Sequence, residues 1–265
     1  MILLLAVGCM SLDPFFFNPN ADETFEYGFP NDNIPETQIE EVAFESEDGT
    51  QLFGAWFRSE QPNQAKTIVY FHGNTGDMDY NMSQVDALYA LNLNIFTLDY
   101  RGYGKSEGEP SHDGVIADGR AAVELVMAEE GLESEDFGIV GLSLGGFVAT
   151  HVSLDHPPGA LITHDMFADA NSFYDLNTGL NIPSGWMFND PFDNLTAVSQ
   201  LDVPYLITHG EEDTYIVPEH GKRVYQAANE PKELYLVPGG THGDTHEDAP
   251  EEYAAVVSGW LREYL

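Results

Sequence analysis

The sequence predicts a single α/β domain, a mostly parallel central sheet with helices on both faces and an antiparallel hairpin at its N-terminal end. Three observations carry this. From residue 67 onward, short apolar runs of strand length alternate with helix-length segments, the order that builds parallel strands through right-handed crossovers. Two alternating runs at 39–45 and 52–58 flank the turn Glu47-Asp48-Gly49-Thr50, a hairpin signal. A chain of 265 residues with 43% hydrophobic content can also bury a sizeable core, which excludes disorder, collagen and coiled coil.

Taken in order, residues 1–9 form a short apolar run that ends at Cys9. Residues 10–38, with Pro14, Pro19, Pro30 and Pro35, have neither helical nor strand period and read as an extended leader. Phe15, Phe16 and Phe17 are expected to pack on the body, because three adjacent exposed Phe would form a sticky patch. The main domain spans 39–265. After the hairpin, a buried strand is expected at 67–71, a helix at 79–91 and a strand at 94–98. A helix at 112–130, a strand at 137–140, a helix at 144–155 and a strand at 160–163 follow. A short irregular excursion at 166–202 precedes a strand at 205–208, a helix at 218–229, a strand at 233–237 and a last helix at 249–264.

Charge narrows the function. Nine Lys and Arg against 45 Asp and Glu leave a net charge of −36. Such a field repels phosphate backbones and anionic lipid headgroups, so neither nucleic acid nor an anionic membrane surface is an expected partner. The evenly spread acids read as a solvated shell, common in halophilic or extracellular proteins. Cys9 stands alone, which excludes an intrachain disulfide or a cysteine metal site. The run Met1-Ile2-Leu3-Leu4-Leu5-Ala6-Val7-Gly8-Cys9 resembles the tail of a bacterial lipoprotein signal, which implies lipidation at Cys9, a cell-envelope location and a membrane contact through that anchor alone. The alternative is an ordinary apolar N-terminus with a free thiol in the cytoplasm. No stretch is long and apolar enough to cross a membrane as a helix.

The pattern G-x-S-x-G occurs twice, and context separates the two. Ser106 lies in a charged, glycine-rich loop with no helix opening at it. Ser143 follows the apolar run 137–140 and precedes Leu144-Gly145-Gly146-Phe147, which opens a helix. Strand, sharp turn and helix are what a nucleophile elbow requires, with small flanking residues that let strand and helix approach. Ser143 is the expected nucleophile. Gly104-Lys105-Ser106 is not a phosphate loop, since Asp99 stands where the first glycine is needed. Asp99 and Arg101 read as structural ties at a strand end. The pair His242 and His246, four residues apart among Asp244, Glu247 and Asp248, has a spacing that metals use on helices. It follows Pro238-Gly239-Gly240, reads as a loop, and no metal or other cofactor is expected.

From about residue 40 to 264 the chain resembles a small α/β-hydrolase without a large cap domain, and five motifs run in family order. They are Phe71-His72-Gly73-Asn74, Asp99-Tyr100-Arg101-Gly102-Tyr103-Gly104-Lys105-Ser106, Gly141-Leu142-Ser143-Leu144-Gly145-Gly146, the segment from His209 through Asp213 to Pro218, and Pro238-Gly239-Gly240-Thr241-His242-Gly243-Asp244. The resemblance implies a Ser143–His242–Asp213 triad and an oxyanion hole made by the backbone amides of Asn74 and Leu144. Glu211 and Glu212 read as surface acids beside Asp213. Asp165, after the strand at 160–163, is the other place some relatives put the acid. The apolar cluster of Ile182, Trp186, Met187 and Phe188 is expected to form a short helix over the cleft, with the last three as pocket wall or as core.

The implied activity is hydrolysis of small-molecule carboxylic esters or thioesters through an acyl-enzyme. An acyl-peptide or short-peptide hydrolase is the related alternative, and a non-catalytic lipoprotein binding module on the same fold is the other class. No triad member is missing, which favours the enzyme. The charge generates a prediction independent of the site. Self-repulsion among 45 acids is screened as the Debye length falls from about 10 Å at 0.1 M salt to about 3 Å at 1 M. The melting temperature should therefore rise with NaCl over that range, and a flat or falling curve would contradict this.

Overall fold

Apolar runs buried on both faces become the middle of the sheet. In the computed structural model, which describes residues 16–20, 26–31, 33–178 and 192–265, eight strands pair into one sheet. They are β1 (Ile39–Glu45), β2 (Gln51–Phe57), β3 (Thr67–Phe71), β4 (Asn94–Asp99), β5 (Phe137–Leu142), β6 (Ala160–His164), β7 (Tyr205–Gly210) and β8 (Lys232–Val237). Their order is β1-β2-β4-β3-β5-β6-β7-β8, antiparallel from β1 to β2 and from β2 to β4, and parallel from there on. Strands β3 to β7 are buried along their whole length. Alternation then divides them. Val69 and Phe71 join one core layer, and Ile68 and Tyr70 join the other.

Helices α1 (Met82–Tyr89), α2 (His112–Glu130), α3 (Leu144–Asp155), α4 (Ala170–Thr178), α5 (Asn194–Val198), α6 (Glu219–Ala227), α7 (Thr245–Asp248) and α8 (Pro250–Tyr264) surround the sheet. Residues of α2, α3 and α6 pack into one layer, and α1 with α8 into the other. Helix α2 has the clearest signals: the Ser111 hydroxyl accepts from Gly114 N–H at its start, and Gly131 ends it at φ 64°. Helices α4 and α5 fall inside the excursion that the sequence reading leaves irregular, and Asp193 caps α5. The expectation for Ile182, Trp186, Met187 and Phe188 lies outside the described residues, as do Cys9 and Phe15.

The described parts of the leader lie on the domain. Phe16 and Phe17 are buried, and Phe16 stacks on Phe192 with ring centroids 4.2 Å apart. Asp79 accepts from Gly28 N–H at 2.7 Å and from Phe29 N–H at 2.8 Å, and the Tyr27 hydroxyl donates to the buried Asp99. One correction concerns the end of the chain. The segment expected to be a loop around His246 forms the one-turn helix α7, closed by Thr241, whose N–H and hydroxyl both donate to Asp248 at 2.8 Å.

Arg101 ties three elements together. Its guanidinium donates to Asp118 on α2 at 2.7 Å, to Asp48 at the hairpin turn at 2.9 Å and to Ser46 at 3.1 Å. Its backbone N–H also reaches Asp118, at 2.8 Å. Asp118 is fully buried, so removing Arg101 strands its charge. Arg101→Met should cost about 3–5 kcal/mol of unfolding free energy by urea titration, and Asp118→Leu added to it should recover part of that loss. A loss below 1 kcal/mol would show that the tie is dispensable.

Candidate active site

The end of β5 turns into α3 within one residue. Ser143 occupies that turn at φ 53° and ψ −110°, a left-handed conformation that a side chain tolerates only where its surroundings enforce it. Packing supplies the enforcement. A Cβ on Gly145 would lie 1.9 Å from the Phe71 carbonyl oxygen, and one on Gly141 would lie 2.2 Å from that of Gly145. Only glycine lets α3 start this close to β3 and β5. The Ser143 N–H donates to the His164 carbonyl at 2.9 Å, which anchors the turn to β6. The first amides of α3, that of Leu144 leading, have no carbonyl within the helix to bond and form its positive end.

The loop after β3 borders the same space. Its Gly73–Asn74 peptide is oriented by His72, whose Nδ1 donates to the Gly73 carbonyl at 2.7 Å. The Asn74 carbonyl accepts from the Tyr103 hydroxyl and from Asn18 N–H of the leader, both at 3.1 Å. Asn74, Ser143 and His242 line one cavity of about 280 Å³, together with Tyr80, Asn81 and Gln84.

Past β7 the chain turns at Asp213, and past β8 it turns at His242. The His242 Nδ1–H donates to Asp213 Oδ2 at 2.7 Å. Asp213 Oδ1 accepts from the backbone amides of Tyr215 and Ile216, each at 2.8 Å. Burial works to raise the Asp213 carboxyl, but the hydrogen bonds from His209, His242 and the backbone win and hold it well below the usual carboxylate range. The Tyr215 ring packs 4.9 Å from the imidazole. Asp165 stands beside the pair, buried, with φ 49°. Its oxygens accept from Gly210 N–H at 2.8 Å and Gly243 N–H at 2.9 Å, so it clamps the Asp213 and His242 loops to each other. Among the described residues, Asp165, Asp213 and His242 are the three metal-ligating side chains close enough to share an ion. A cation there would have to displace hydrogen bonds that each of them already makes.

Comparison with known proteins gives the family and the fold. The model of the alpha/beta hydrolase fold matches residues 66–174. The uncharacterized protein YfhR of Escherichia coli is 32% identical over 231 residues, covering 83% of this chain and 80% of that protein. The alpha/beta hydrolase domain-containing protein WAV2 of Arabidopsis thaliana is 29% identical over 248 residues, covering 85% and 79%. The chain belongs to the alpha/beta hydrolase family. Among solved structures, the esterase Pf2001 of Pyrococcus furiosus superposes with a TM-score of 0.74 at 20% identity, over 94% of this chain and 98% of that one. The Rhodococcus esterase RhEst1 gives 0.66 at 19% identity, over 86% and 100%.

Within this alpha/beta hydrolase fold Asp244 lines the cavity, whereas Ser106 and His246 lie away from it. Ser106 is buried, its hydroxyl donating to the Asp99 carbonyl at 2.7 Å and accepting from Phe53 N–H at 2.9 Å. His246 is buried against Tyr253. The pocket-wall expectation for Trp186, Met187 and Phe188 lies outside the described residues. Sequence reasoning missed the polar wall of Asn81 and Gln84, and it missed His209, 3.4 Å behind Asp213. Their signal would have been position, just past β3 and at the end of β7, rather than any motif.

Two buried histidines near the site carry a pH prediction. Burial pushes His164 down to about 3 and His220 down to about 4. The Ala168 N–H donates to His220 Nδ1, which keeps that nitrogen unprotonated. Their folded values lie below the unfolded one near 6.5, so the unfolded chain binds more protons as pH falls. Their contribution is complete above that value and is lost on the way down, by about 1.4 kcal/mol per pH unit per histidine. Urea unfolding between pH 7 and 4.5 should give a slope that is smaller in His220→Asn than in the parent; equal slopes would contradict the assignment.

Proposed function

We propose that this protein is a serine hydrolase acting on carboxylic esters of small molecules, thioesters included. The observation that carries the reading is the Asp213–His242 hydrogen bond at the edge of the cavity where Ser143 is held in its strained turn. A serine hydroxyl is a poor nucleophile unless a base takes its proton. In this reading His242 Nε2 is that base, and Asp213 fixes the tautomer that leaves Nε2 free to accept. The Ser143 Oγ attacks the ester carbonyl while its proton passes to His242. The amides of Asn74 and Leu144 receive the developing oxyanion, each donor worth on the order of 3 kcal/mol in the barrier. Collapse breaks the ester C–O bond, His242 returns the proton to the leaving alcohol, and water then releases the acyl group by the same path.

The esterase neighbours share the fold, and their activity is consistent with this reading. Labelling by a fluorophosphonate probe and hydrolysis of p-nitrophenyl butyrate test it together. Ser143→Ala should abolish both, whereas folded Ser106→Ala should retain them. His242→Ala should lower kcat by about four to six orders of magnitude, and His246→Ala by less than about tenfold. The pH profile of kcat/KM should rise with pH, because the base must be neutral to accept a proton. Labelling that survives Ser143→Ala, or a dead His246 variant beside an active His242 one, would overturn the assignment.

A further inference from the structure

His242 stands between two unlike surroundings. Tyr215 packs on its ring, Phe173 lies 6.2 Å from Tyr215, and Phe16 lies 5.8 Å from Phe173, so one flank is aromatic. The cavity it shares with Ser143 is polar. Gly243 and Asp244 bound that cavity next to the imidazole, and Thr75, Asn81 and Gln84 face them.

The wall facing His242 is rich in acceptors. Asn81 is buried, and its amide hydrogens go to the carbonyls of Thr75 at 3.1 Å and Asp77 at 2.9 Å. That spends its donors and leaves Oδ1 as an acceptor. The Gln84 Nε2 donates to the Gly243 carbonyl at 2.6 Å, and its Oε1 meets another group of the wall only at 3.4 Å, from Ser83. Asp244 is exposed and adds a carboxylate, an acceptor with a negative charge. No Lys or Arg is among the described residues lining the cavity. A group bound here meets these acceptors together with the neutral donors of Asn74 and Tyr80, and receives no countercharge.

Chemistry decides which part of the substrate that is. This step rests on the ester-hydrolase reading above. The proton that His242 takes from Ser143 is returned to the oxygen leaving the acyl carbon, so the alcohol must depart beside the imidazole. Among the described residues, the polar cavity is open space beside it. We propose that this cavity is the leaving-group subsite and that it takes a short polyhydroxylated alcohol, glycerol-like in size, in preference to apolar or anionic alcohols. Hydroxyl donors satisfy Asn81, Gln84 and Asp244. A propyl group would leave those acceptors unpaired, and a carboxylate would meet Asp244 and the −36 field.

The test holds the acyl group constant. kcat/KM is measured for glycerol monobutyrate, propyl butyrate and 3-butyryloxypropanoate with the full chain, alongside fluorophosphonate labelling. The glycerol ester should exceed the propyl ester by about tenfold, the worth of one or two net hydrogen bonds, and the anionic ester should be the slowest. Asp244→Asn should narrow the gap between the glycerol and anionic esters several-fold. Equal rates for all three, a faster propyl ester or an unchanged gap in Asp244→Asn would overturn the subsite while leaving the esterase reading standing. Failure to hydrolyse the glycerol ester overturns it as well, and if Ser143 also resists the probe, the esterase reading falls with it.

Discussion

The contact between the first turn of α3 and the end of β3 is the constraint on which the site depends. With the Gly145 Cβ position 1.9 Å from the Phe71 carbonyl, no other residue allows the helix to begin there. That approach forces Ser143 to positive φ, which lifts its side chain out of the sheet at the strand's carboxyl end. It also seats the first turn of α3 against the Phe71 and His72 carbonyls, and the Gly73–Asn74 peptide is the next in the chain. In the proposed mechanism, nucleophile position and anion-stabilising donors are thus consequences of one packing event. Strain at a single turn is sustained because the buried strands β3, β5 and β6 leave it no room to relax.

A second buried group holds the other half of the site in register. Asp99 accepts from Tyr27 and from Met78 N–H at 2.8 Å, and lies 3.4 Å from His72 Nε2. Burial raises its carboxyl, while the contacts from His72 and Tyr27 favour the charged form. Since His72 in turn grips the Gly73 carbonyl, the orientation of the Asn74 N–H is linked through Asp99 to the leader. Asn18 reinforces the link by donating to the Asn74 carbonyl. The leader therefore supports the candidate site, although its described residues contribute no strand to the sheet.

How much of this was legible follows from how local each feature is. The elbow could be read because strand, serine and glycines are contiguous, and α2 because its cap and its terminal glycine are sequence-coded. The order of motifs placed Asp213 and His242 on separate loops at the same sheet edge. From sequence Asp165 offers itself only as a rival acid, since its actual partners are the amides of Gly210 and Gly243, 45 and 78 residues away. Backbone partners leave no residue-type signature. The helix at Thr245–Asp248 escaped for a related reason: Asp248 closes it on Thr241, whereas the preceding glycines signal a loop. The docking of the leader through Tyr27 and Asp79 is equally non-local, and low regularity in sequence was no guide to it.

The acidity of the chain bears on the chemistry in a less obvious way. In the proposed mechanism, a field of −36 opposes the oxyanion and favours the imidazolium, so its distant part works against one step and with another. Distance settles the balance. Solvated charges more than about 10 Å away are largely screened at 0.1 M salt, whereas donors within hydrogen-bond reach in a water-poor turn keep their strength. Among the near charges, Asp213 and Asp165 have their oxygens committed to Nδ1–H and N–H donors, which spreads their charge into the loops. In the proposed mechanism, what acts at the reacting carbonyl is then set by a few oriented amides and one imidazole. The acidic shell is free to answer to solvent and salt, except at Asp244, where it reaches the cavity itself.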